Sequence, residues 1–319
     1  MLRYVCRRLL VAIPTLLAIS VVIFVLLAIA PTNPLGELAT NPSITPEVRE
    51  NLRRSLGLDD PVLIRYFKWL WALMQGNFGY SFGSRSPVSE LILQRLPATL
   101  WVIGAGYLLS VLLALPLGTL SAIKKGTGLD WLISTLAFVG FSLPTFFTGL
   151  LLILIFSVQL GWVPFIYSST LVVNNWSSFW ELVRQSILPV AVLALFQTAI
   201  LMRFIRSAIA EELPQDYVRT AHAKGLSRTR VLGIHILRNA SIPVVTLLAL
   251  DIPSLFTGSL VLEQVFRIPG MGALLIDSIN RGDTPVVMAV SFIYAILVVV
   301  FNLLADVLYG WLDPRVRLG

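Results

Sequence analysis

The chain has 319 residues, of which 56% are hydrophobic and 13% are charged, and its mean hydropathy is +0.83. This composition excludes an ordinary soluble globular protein and indicates an integral membrane protein. The formal net charge of +7 is compatible with anionic lipid nearby, and the single cysteine, Cys6, excludes a disulfide framework within the chain.

Hydrophobic segments predict an all-α, polytopic fold with six transmembrane helices. Each segment is poor in charge and long enough to cross about 30 Å of hydrocarbon as a helix of roughly 20 residues. The segments comprise residues 9–30, 98–122, 131–157, 186–202, 240–262 and 285–308. Pro144 interrupts the third segment, and the pattern leaves open whether this proline produces a functional kink or is merely tolerated.

The distribution of Lys and Arg predicts the orientation of these helices. If the N-terminus is cytoplasmic, the short outer loops contain only Arg184, Arg267 and Arg281, and the inner segments hold a larger share of the basic residues. We therefore expect a multi-pass protein of the cell (inner) membrane with both termini in the cytoplasm. Residues 1–30 would form the N-terminus and first helix, and residues 98–319 a core of five helices.

Residues 31–97 are predicted to form an extracytoplasmic helical subdomain between the first two transmembrane helices. Thr45-Pro46 would begin one helix that ends at Gly57, and Asp60-Pro61 a second that ends at Gly76. The apolar side of the second helix comprises Leu63, Tyr66, Phe67, Leu70 and Met74, with Trp69 and Trp71 beside it. We expect this helix to lie along the lipid headgroups. Contact with a substrate-delivering partner is the alternative.

A polar, basic segment, residues 213–239, separates the fourth and fifth hydrophobic segments. Pro214 suits a first helical turn, Gly225 suits the left-handed residue that ends a helix, and Ser227 is a suitable cap for a following helix. We therefore predict two short cytoplasmic helices that meet at Gly225.

The second of these helices is predicted to have an apolar side and a basic side. Val231, Ile234 and Leu237 recur at a spacing of three residues. Three basic residues would face water or lipid phosphate: Arg228, Arg230 and Arg238.

Asp251 lies inside the fifth hydrophobic segment. A carboxylate at this depth is costly, so it is expected to face the bundle interior, water or a hydrogen-bond partner. We favour a position on a translocation path or at a subunit interface. A hydrogen bond within the helix or to a neighbouring helix is the alternative.

The segment Arg219-Thr220-Ala221-x-Ala223-Lys224-Gly225-Leu226 resembles the cytoplasmic coupling loop of permease subunits in ABC importers, in particular the dipeptide, oligopeptide and nickel branch. The wider family has Glu-Ala-Ala, three further residues and Gly, and here the triplet is Arg-Thr-Ala. The opening Arg-Arg…Ile-Pro-Thr at 7–15, the outer segment Val-Phe-x-x-Pro-Gly-x-Gly at 265–272 and the ending at 302–315 are similar to the same branch. The resemblance therefore extends over nearly the whole chain.

This resemblance implies a non-catalytic permease subunit whose loop docks on a separate ATPase subunit. The implied docking surface comprises Tyr217, Arg219, Thr220, Ala221, Ala223, Lys224, Gly225 and Leu226. The implied partners are a homologous permease subunit, two ATPase subunits that bind ATP and Mg, and an extracytoplasmic substrate-binding protein, whereas this chain itself would bind no cofactor or metal. Similar permeases carry peptides, glutathione, nickel chelates and some sugars, so the cargo stays open. A different chain is favoured over a second copy as the permease partner.

The sequence contains no Gly-x-x-x-x-Gly-Lys-Ser/Thr phosphate loop, so ATP-derived energy would come from another chain.

Three other functions are alternatives to an ABC importer permease: a carrier or channel, a DNA-binding protein and a membrane scaffold. The main alternative is an ion- or proton-coupled carrier or channel that uses Asp251 without an ATPase, although carriers usually show internal repeats and several intramembrane ionisable groups. A DNA-binding reading of residues 221–230 would hold the DNA against the bilayer. A membrane scaffold would not need the small residues and glycine of the loop.

Overall fold

The computed structural model describes residues 2–29, 45, 47, 50, 59–168 and 171–312. These residues are helical apart from connecting turns and loops and one isolated β-bridge between Tyr80 and Pro87. The first predicted outer helix, from Thr45 to Gly57, falls almost entirely outside the described residues.

The helices in chain order are α1 (Leu2–Ile29), α2 (Val62–Met74), α3 (Val88–Ile123), α4 (Gly128–Ser142), α5 (Thr145–Leu152), α6 (Trp176–Glu212), α7 (Asp216–Ala223), α8 (Arg228–Arg230), α9 (Leu237–Phe266), α10 (Met271–Arg281) and α11 (Thr284–Leu312). The structure also has two π-helical segments. Ile153–Gln159 continues α5, and Val231–Ile236 connects α8 to α9.

The described residues contain between five and seven candidate membrane spans. Five helical runs are long and apolar enough to cross a bilayer: Arg7–Ile29, Val88–Ile123, Trp176–Glu212, Arg228–Phe256 and Thr284–Val307. Two bent pairs bring the number to seven if each pair is one span. They are Gly128–Ser142 with Thr145–Gln159, and Gly258–Phe266 with Met271–Arg281, bent by 100° and 81°. The chain is thus helical and polytopic, whereas a count of six stays a prediction.

The third predicted span, residues 131–157, is not a continuous helix. α4 ends at Ser142 and α5 begins at Thr145, with a bend of 100° between them. Leu143 adopts extended backbone angles, φ −84° and ψ 130°, because the ring of a following proline disfavours the helical region. Pro144 then precedes the first turn of α5, where its missing N–H costs nothing. Pro144 therefore breaks the segment rather than being tolerated inside it.

The fourth predicted span is much longer than the sequence pattern indicated. Arg184 and Arg203, which bounded the hydrophobic segment, both lie inside the 37-residue helix α6. Asn175 caps this helix, since its side chain accepts a hydrogen bond from Ser178 N over 2.8 Å. α6 is consequently long enough to extend beyond the hydrocarbon at its ends.

Two compact units make up the chain. The first unit comprises Met1–Val5, Leu100–Ile268 and Phe301–Gly319, and the second comprises Cys6–Thr99 and Pro269–Val300. Buried apolar residues of α3, α6, α7 and α9, together with the π-helical segment before α9, form one core of the first unit. The core of the second unit contains Val88, Ile92, Met271, Val286, Ala289 and Val290.

In the first unit, α3 and α6 approach each other closely at glycines of α3. A Cβ atom added to Gly118 would lie 2.8 Å from Ile205 Cγ2 and 2.9 Å from the carbonyl oxygen of Met202. A Cβ atom at Gly106 would collide with the side chain of Leu193. Small residues are typical of close helix contacts in membranes, because van der Waals packing is a principal source of association there.

In the second unit, α2 begins and ends where the sequence predicts. It follows Pro61, and Gly76 after its end has a φ of +76°. Its predicted apolar face is divided, however. Tyr66 packs against α1, with a ring-centroid distance of 5.5 Å to Phe24 and an oxygen–oxygen distance of 2.9 Å to Ser20. Leu63, Phe67 and Met74 of this face remain largely exposed, whereas Leu70 is partly buried.

Asp283 joins the loop before α3 to the start of α11 in the second unit. Its buried carboxylate accepts hydrogen bonds from Ser81 Oγ over 2.5 Å and from the backbone N–H groups of Phe82 and Gly83 over 3.1 Å each. Hydrogen bonds to a carboxylate are about twice as strong as neutral ones, so they fix the loop on this helix end.

The contact at Gly118 gives a direct test of the α3–α6 packing. Gly118→Ala is expected to destabilise the chain by about 1–3 kcal/mol, the usual cost of overpacking, because one of the three clashing atoms belongs to the backbone. Gly104→Ala on the same helix is the matched control, since an added Cβ there meets nothing within 4 Å. Thermal unfolding of the detergent-purified chain measures both variants. Equal unfolding midpoints would contradict this packing.

Candidate functional site

The predicted docking segment forms the short helix α7 and a glycine turn. The N–H of Gly225 donates to the carbonyl oxygen of His222 over 2.9 Å, and the N–H of Leu226 donates to that of Ala221 over 3.3 Å. This pair of hydrogen bonds is a Schellman motif, which requires a left-handed residue. Gly225 supplies it with a φ of +80°, so the predicted helix end at this glycine is confirmed.

One side of α7 is buried in the core of the first unit. Val218 and Ala221 are only 4% and 5% exposed and belong to the same apolar cluster as Ile205 and Ile209 of α6. Tyr217 and Leu226 pack partly against this cluster. The structure therefore corrects the expectation for Ala221, which supports the predicted docking surface from inside instead of facing outward.

The other side of α7 is exposed. Five of the predicted docking residues contribute to it, and we refer to them as the exposed α7 face: Arg219, Thr220, Ala223, Lys224 and Gly225. The helical repeat places Arg219 above Ala223 and Thr220 above Lys224. Arg219 Nη1 lies 3.5 Å from Asp216 Oδ1, but both side chains are at least 75% exposed, so this pair contributes little to stability. The face is therefore small, basic and accessible.

Tyr217 anchors α7 to the end of α6. Its hydroxyl group donates a hydrogen bond to Glu212 Oε2 over 2.5 Å. Partial burial and this hydrogen bond to a carboxylate raise the pKa of Tyr217, while a hydrogen bond with Asn239 opposes the shift. The phenol therefore stays protonated and continues to donate over the physiological pH range.

The predicted second short helix does not exist as a separate element. Only one helical turn, α8, follows Ser227, and the Ser227 side chain does not cap it. The chain then passes through the π-helical segment directly into α9. Because π-helical hydrogen bonds join residues five apart, the buried residues are Val231 and Ile236, and the predicted core residue Ile234 is 50% exposed.

Asp251 in α9 has the hydrogen bond to a neighbouring helix that its sequence position offered as the alternative. Gln197 Nε2 of α6 donates a hydrogen bond to its Oδ2 atom, and Ser254 Oγ donates one to Oδ1 over 3.0 Å. The half-buried carboxylate also lines a cavity of about 100 Å³ together with Thr145 and Phe196. A hydrogen bond to a neighbouring helix is thus present, and a position on a translocation path or at a subunit interface stays a prediction.

Sequence reasoning missed a bidentate ion pair in the first unit. Arg206 of α6 forms a bidentate ion pair with Asp130 in the first turn of α4, with 2.9 Å from Nε to Oδ1 and 2.9 Å from Nη2 to Oδ2. Ser121 Oγ and the N–H of Gly126 also donate to this carboxylate, over 2.5 Å and 2.9 Å. The cluster joins the end of α3, the α3–α4 turn, α4 and α6.

The described residues contain no group of three or more His, Cys, Asp or Glu side chains that could hold a metal ion. His222 lies on α7 and His235 in the π-helical segment.

Two family models together match nearly the whole chain. The model described as "Binding-protein-dependent transport system inner membrane component" matches residues 114–318. The model described as "Binding-prot-dependent transport system membrane comp, N-term" matches residues 1–103. The first match includes α7, Gly225 and Asp251.

Curated relatives are similar over their full length. The oligopeptide transport system permease protein AppB of Bacillus subtilis is 43% identical over 318 residues, which cover 99% of this chain and 100% of the relative. The glutathione transport system permease protein GsiC of Salmonella typhimurium is 39% identical over 317 residues, with 99% of each chain covered. The di/tripeptide transport system permease protein DppB of Pseudomonas aeruginosa is 38% identical over 333 residues, with the same coverage.

Solved structures are similar in fold. The MetNI methionine ABC transporter matches with a TM-score of 0.57 and 16% identity over 70% of this chain and 97% of that chain. An amino acid ABC transporter matches with a TM-score of 0.53 and 16% identity over 69% of this chain and 94% of that chain. At this identity the likeness concerns the fold alone.

The ion pair between Asp130 and Arg206 is expected to stabilise the first unit. Asp130→Asn should lower the free energy of unfolding by about 3 kcal/mol, the lower end for breaking a buried pair, because the Arg206 side chain is 30% exposed and regains some water. Asp216→Asn is the control, since its ion pair is exposed. Thermal unfolding in detergent distinguishes the two. Equal losses would show that Asp130 contributes no more than a surface charge.

Proposed function

Because the chain belongs to the binding-protein-dependent transport system inner membrane components, a family of ABC importer permeases, we propose that its cargo is a peptide or a related small solute. Support comes from three relatives that match it end to end and are named for oligopeptides, glutathione and di/tripeptides. Family membership also decides between a permease subunit of an ABC importer and a carrier that works without an ATPase. The chain is a non-catalytic permease subunit, and a carrier that uses Asp251 without an ATPase is set aside.

The proposed assembly contains this chain, a different but homologous permease subunit, two ATPase subunits that bind ATP and Mg, and an extracytoplasmic binding protein. The family description itself refers to a binding protein. The permease chain would have six spans and cytoplasmic termini, with residues 31–97 outside. This count treats α4 with α5 as one broken span and the bent pair of α9 and α10 as re-entrant, and the positive-inside rule supports the orientation.

We assign the exposed α7 face to ATPase docking, with Tyr217, Ala221 and Leu226 beneath it. The observation that carries this proposal is the opposite character of the two sides of α7. Its exposed side has small residues that permit close approach and two cations, Arg219 and Lys224, that can meet acidic or carbonyl groups. Its buried side belongs to the same core as α6 and α9. A force on the exposed side would therefore be transmitted to two membrane helices.

A bulky residue on the exposed α7 face is expected to block docking without unfolding the chain. In proteoliposomes with the partner permease, ATPases and binding protein, Ala223→Trp should reduce ATP-dependent uptake of a labelled oligopeptide at least tenfold and abolish co-purification of the ATPase. Ser177→Trp, at an exposed small residue near the other end of α6, is the matched control and should retain both.

Two results would overturn this assignment. Wild-type uptake by the Ala223→Trp variant would remove α7 from the ATPase interface. Peptide uptake by the wild-type permease with no ATPase present would instead contradict the importer mechanism as a whole.

The turn at Gly225 supplies a second test. Gly225→Val should cost about 1–2 kcal/mol of stability, because a left-handed conformation is strained for a β-branched residue. Gly76→Val is the matched control, with a φ of +76° and the same empty surroundings in the other unit. Both variants should unfold at similar temperatures, but only Gly225→Val should lose ATP-dependent uptake. Transport at the wild-type rate in Gly225→Val would count against a docking role for this turn.

A further inference from the structure

A cavity of about 270 Å³ lies beside α2 in the second unit. Its apolar lining includes Phe24 of α1, Trp69 of α2 and Met288 of α11. Charged side chains also border it: Arg65, Lys68 and Asp60. The cavity thus combines an aromatic interior with ionic groups, an amphipathic character that neither the family assignment nor the docking proposal uses.

The ends of two membrane-spanning helices indicate the depth of this cavity. Phe24 lies about 8 Å along the axis from the end of α1 at Ile29, and Met288 lies about 6 Å from the start of α11 at Thr284, at 1.5 Å per residue. Both helices are candidate spans of a hydrocarbon core about 30 Å thick. We therefore expect the cavity to lie near the boundary between hydrocarbon and headgroups.

The outward side of α2 has the pattern of a helix that rests in this boundary. A single stripe of large apolar side chains is 62–71% exposed: Leu63, Phe67, Trp71 and Met74. A helix with an apolar stripe and charged residues beside it is stable in the headgroup region, where the stripe enters the acyl boundary. We therefore expect lipid to cover α2 next to the cavity.

The charges at the rim favour a negative ligand. Lys68 Nζ lies 2.6 Å from Asp60 Oδ2, so these two charges offset each other. Among the described residues Arg65 has no ion pair, which leaves one net positive charge at the cavity. A guanidinium group matches phosphate oxygens in a bidentate geometry.

We propose that this cavity binds the headgroup of an anionic phospholipid, with its phosphate on Arg65 and its acyl chains outside along the apolar stripe of α2. The cavity volume supports a headgroup inside the cavity and acyl chains outside it. Pockets that enclose a whole drug-sized ligand measure roughly 300–1,000 Å³, so 270 Å³ holds a headgroup but no acyl chain.

Native mass spectrometry of the complete chain, purified in detergent and titrated with phosphatidylglycerol or phosphatidylcholine, tests this site. Phosphatidylglycerol should bind the wild type more tightly than phosphatidylcholine. Arg65→Gln should weaken phosphatidylglycerol binding about fivefold, the effect of one cation that faces anionic lipid. Ala72→Phe, which fills the cavity and leaves the charge unchanged, should weaken it at least as much.

Arg95→Gln on α3 is the matched control, because it removes one positive charge from the same unit away from the cavity. It should leave the affinity unchanged. Equal losses in Arg65→Gln and Arg95→Gln would reduce the effect to general electrostatics. Full affinity in Ala72→Phe would show that the lipid binds elsewhere, and equal binding of the two lipids would exclude recognition of an anionic headgroup.

Discussion

Two small apolar side chains, Val218 and Ala221, join the exposed helix α7 to the membrane helices of the first unit. Both are almost fully buried and share an apolar cluster with residues of α3, α6 and α9. The interior of a protein is close-packed, so a displaced α7 must either drag its neighbours or open a void. A displacement of the exposed α7 face would therefore move these membrane helices as well, because the opposite side of α7 is packed against them.

Polar contacts add to the apolar packing that joins α7 to the membrane helices, and they fix how these helices are oriented. The hydrogen bond from Tyr217 to Glu212 joins α7 to the end of α6. Arg206 lies slightly earlier on α6, and its bidentate ion pair with Asp130 fixes α4 and the α3–α4 turn. Apolar contacts are not directional, whereas a two-pronged ion pair specifies both distance and orientation. The end of α6 is thus joined to α7 by buried apolar contacts and to α4 by an ion pair. These elements form one continuous body within the first unit.

Sequence patterns were most informative where a single residue determines local geometry. Gly225 and Gly76 revealed helix ends, because left-handed backbone is strained for other residues, and Pro144 revealed the possible break. The patterns failed where geometry depends on distant partners. Asp130 resembles any acidic residue in a first helical turn, and its partner lies 76 positions away. The π-helical segment moved Ile234 outward and Ile236 inward, since a helical repeat assumes 3.6 residues per turn.

Asp251 shows why a position on a path and a hydrogen bond to a neighbouring helix are compatible. Hydrocarbon cannot solvate a carboxylate, so a carboxylate at this depth needs donors from the protein. Gln197 and Ser254 supply them, and neither donor carries a charge. The same carboxylate borders a small cavity, and neither donor supplies a positive charge that would offset an ionised carboxylate there. Only Gln197 joins α6 to α9 through this carboxylate, because Ser254 lies on α9 itself, so the polar contact between the two helices rests on one uncharged donor and not on an ion pair.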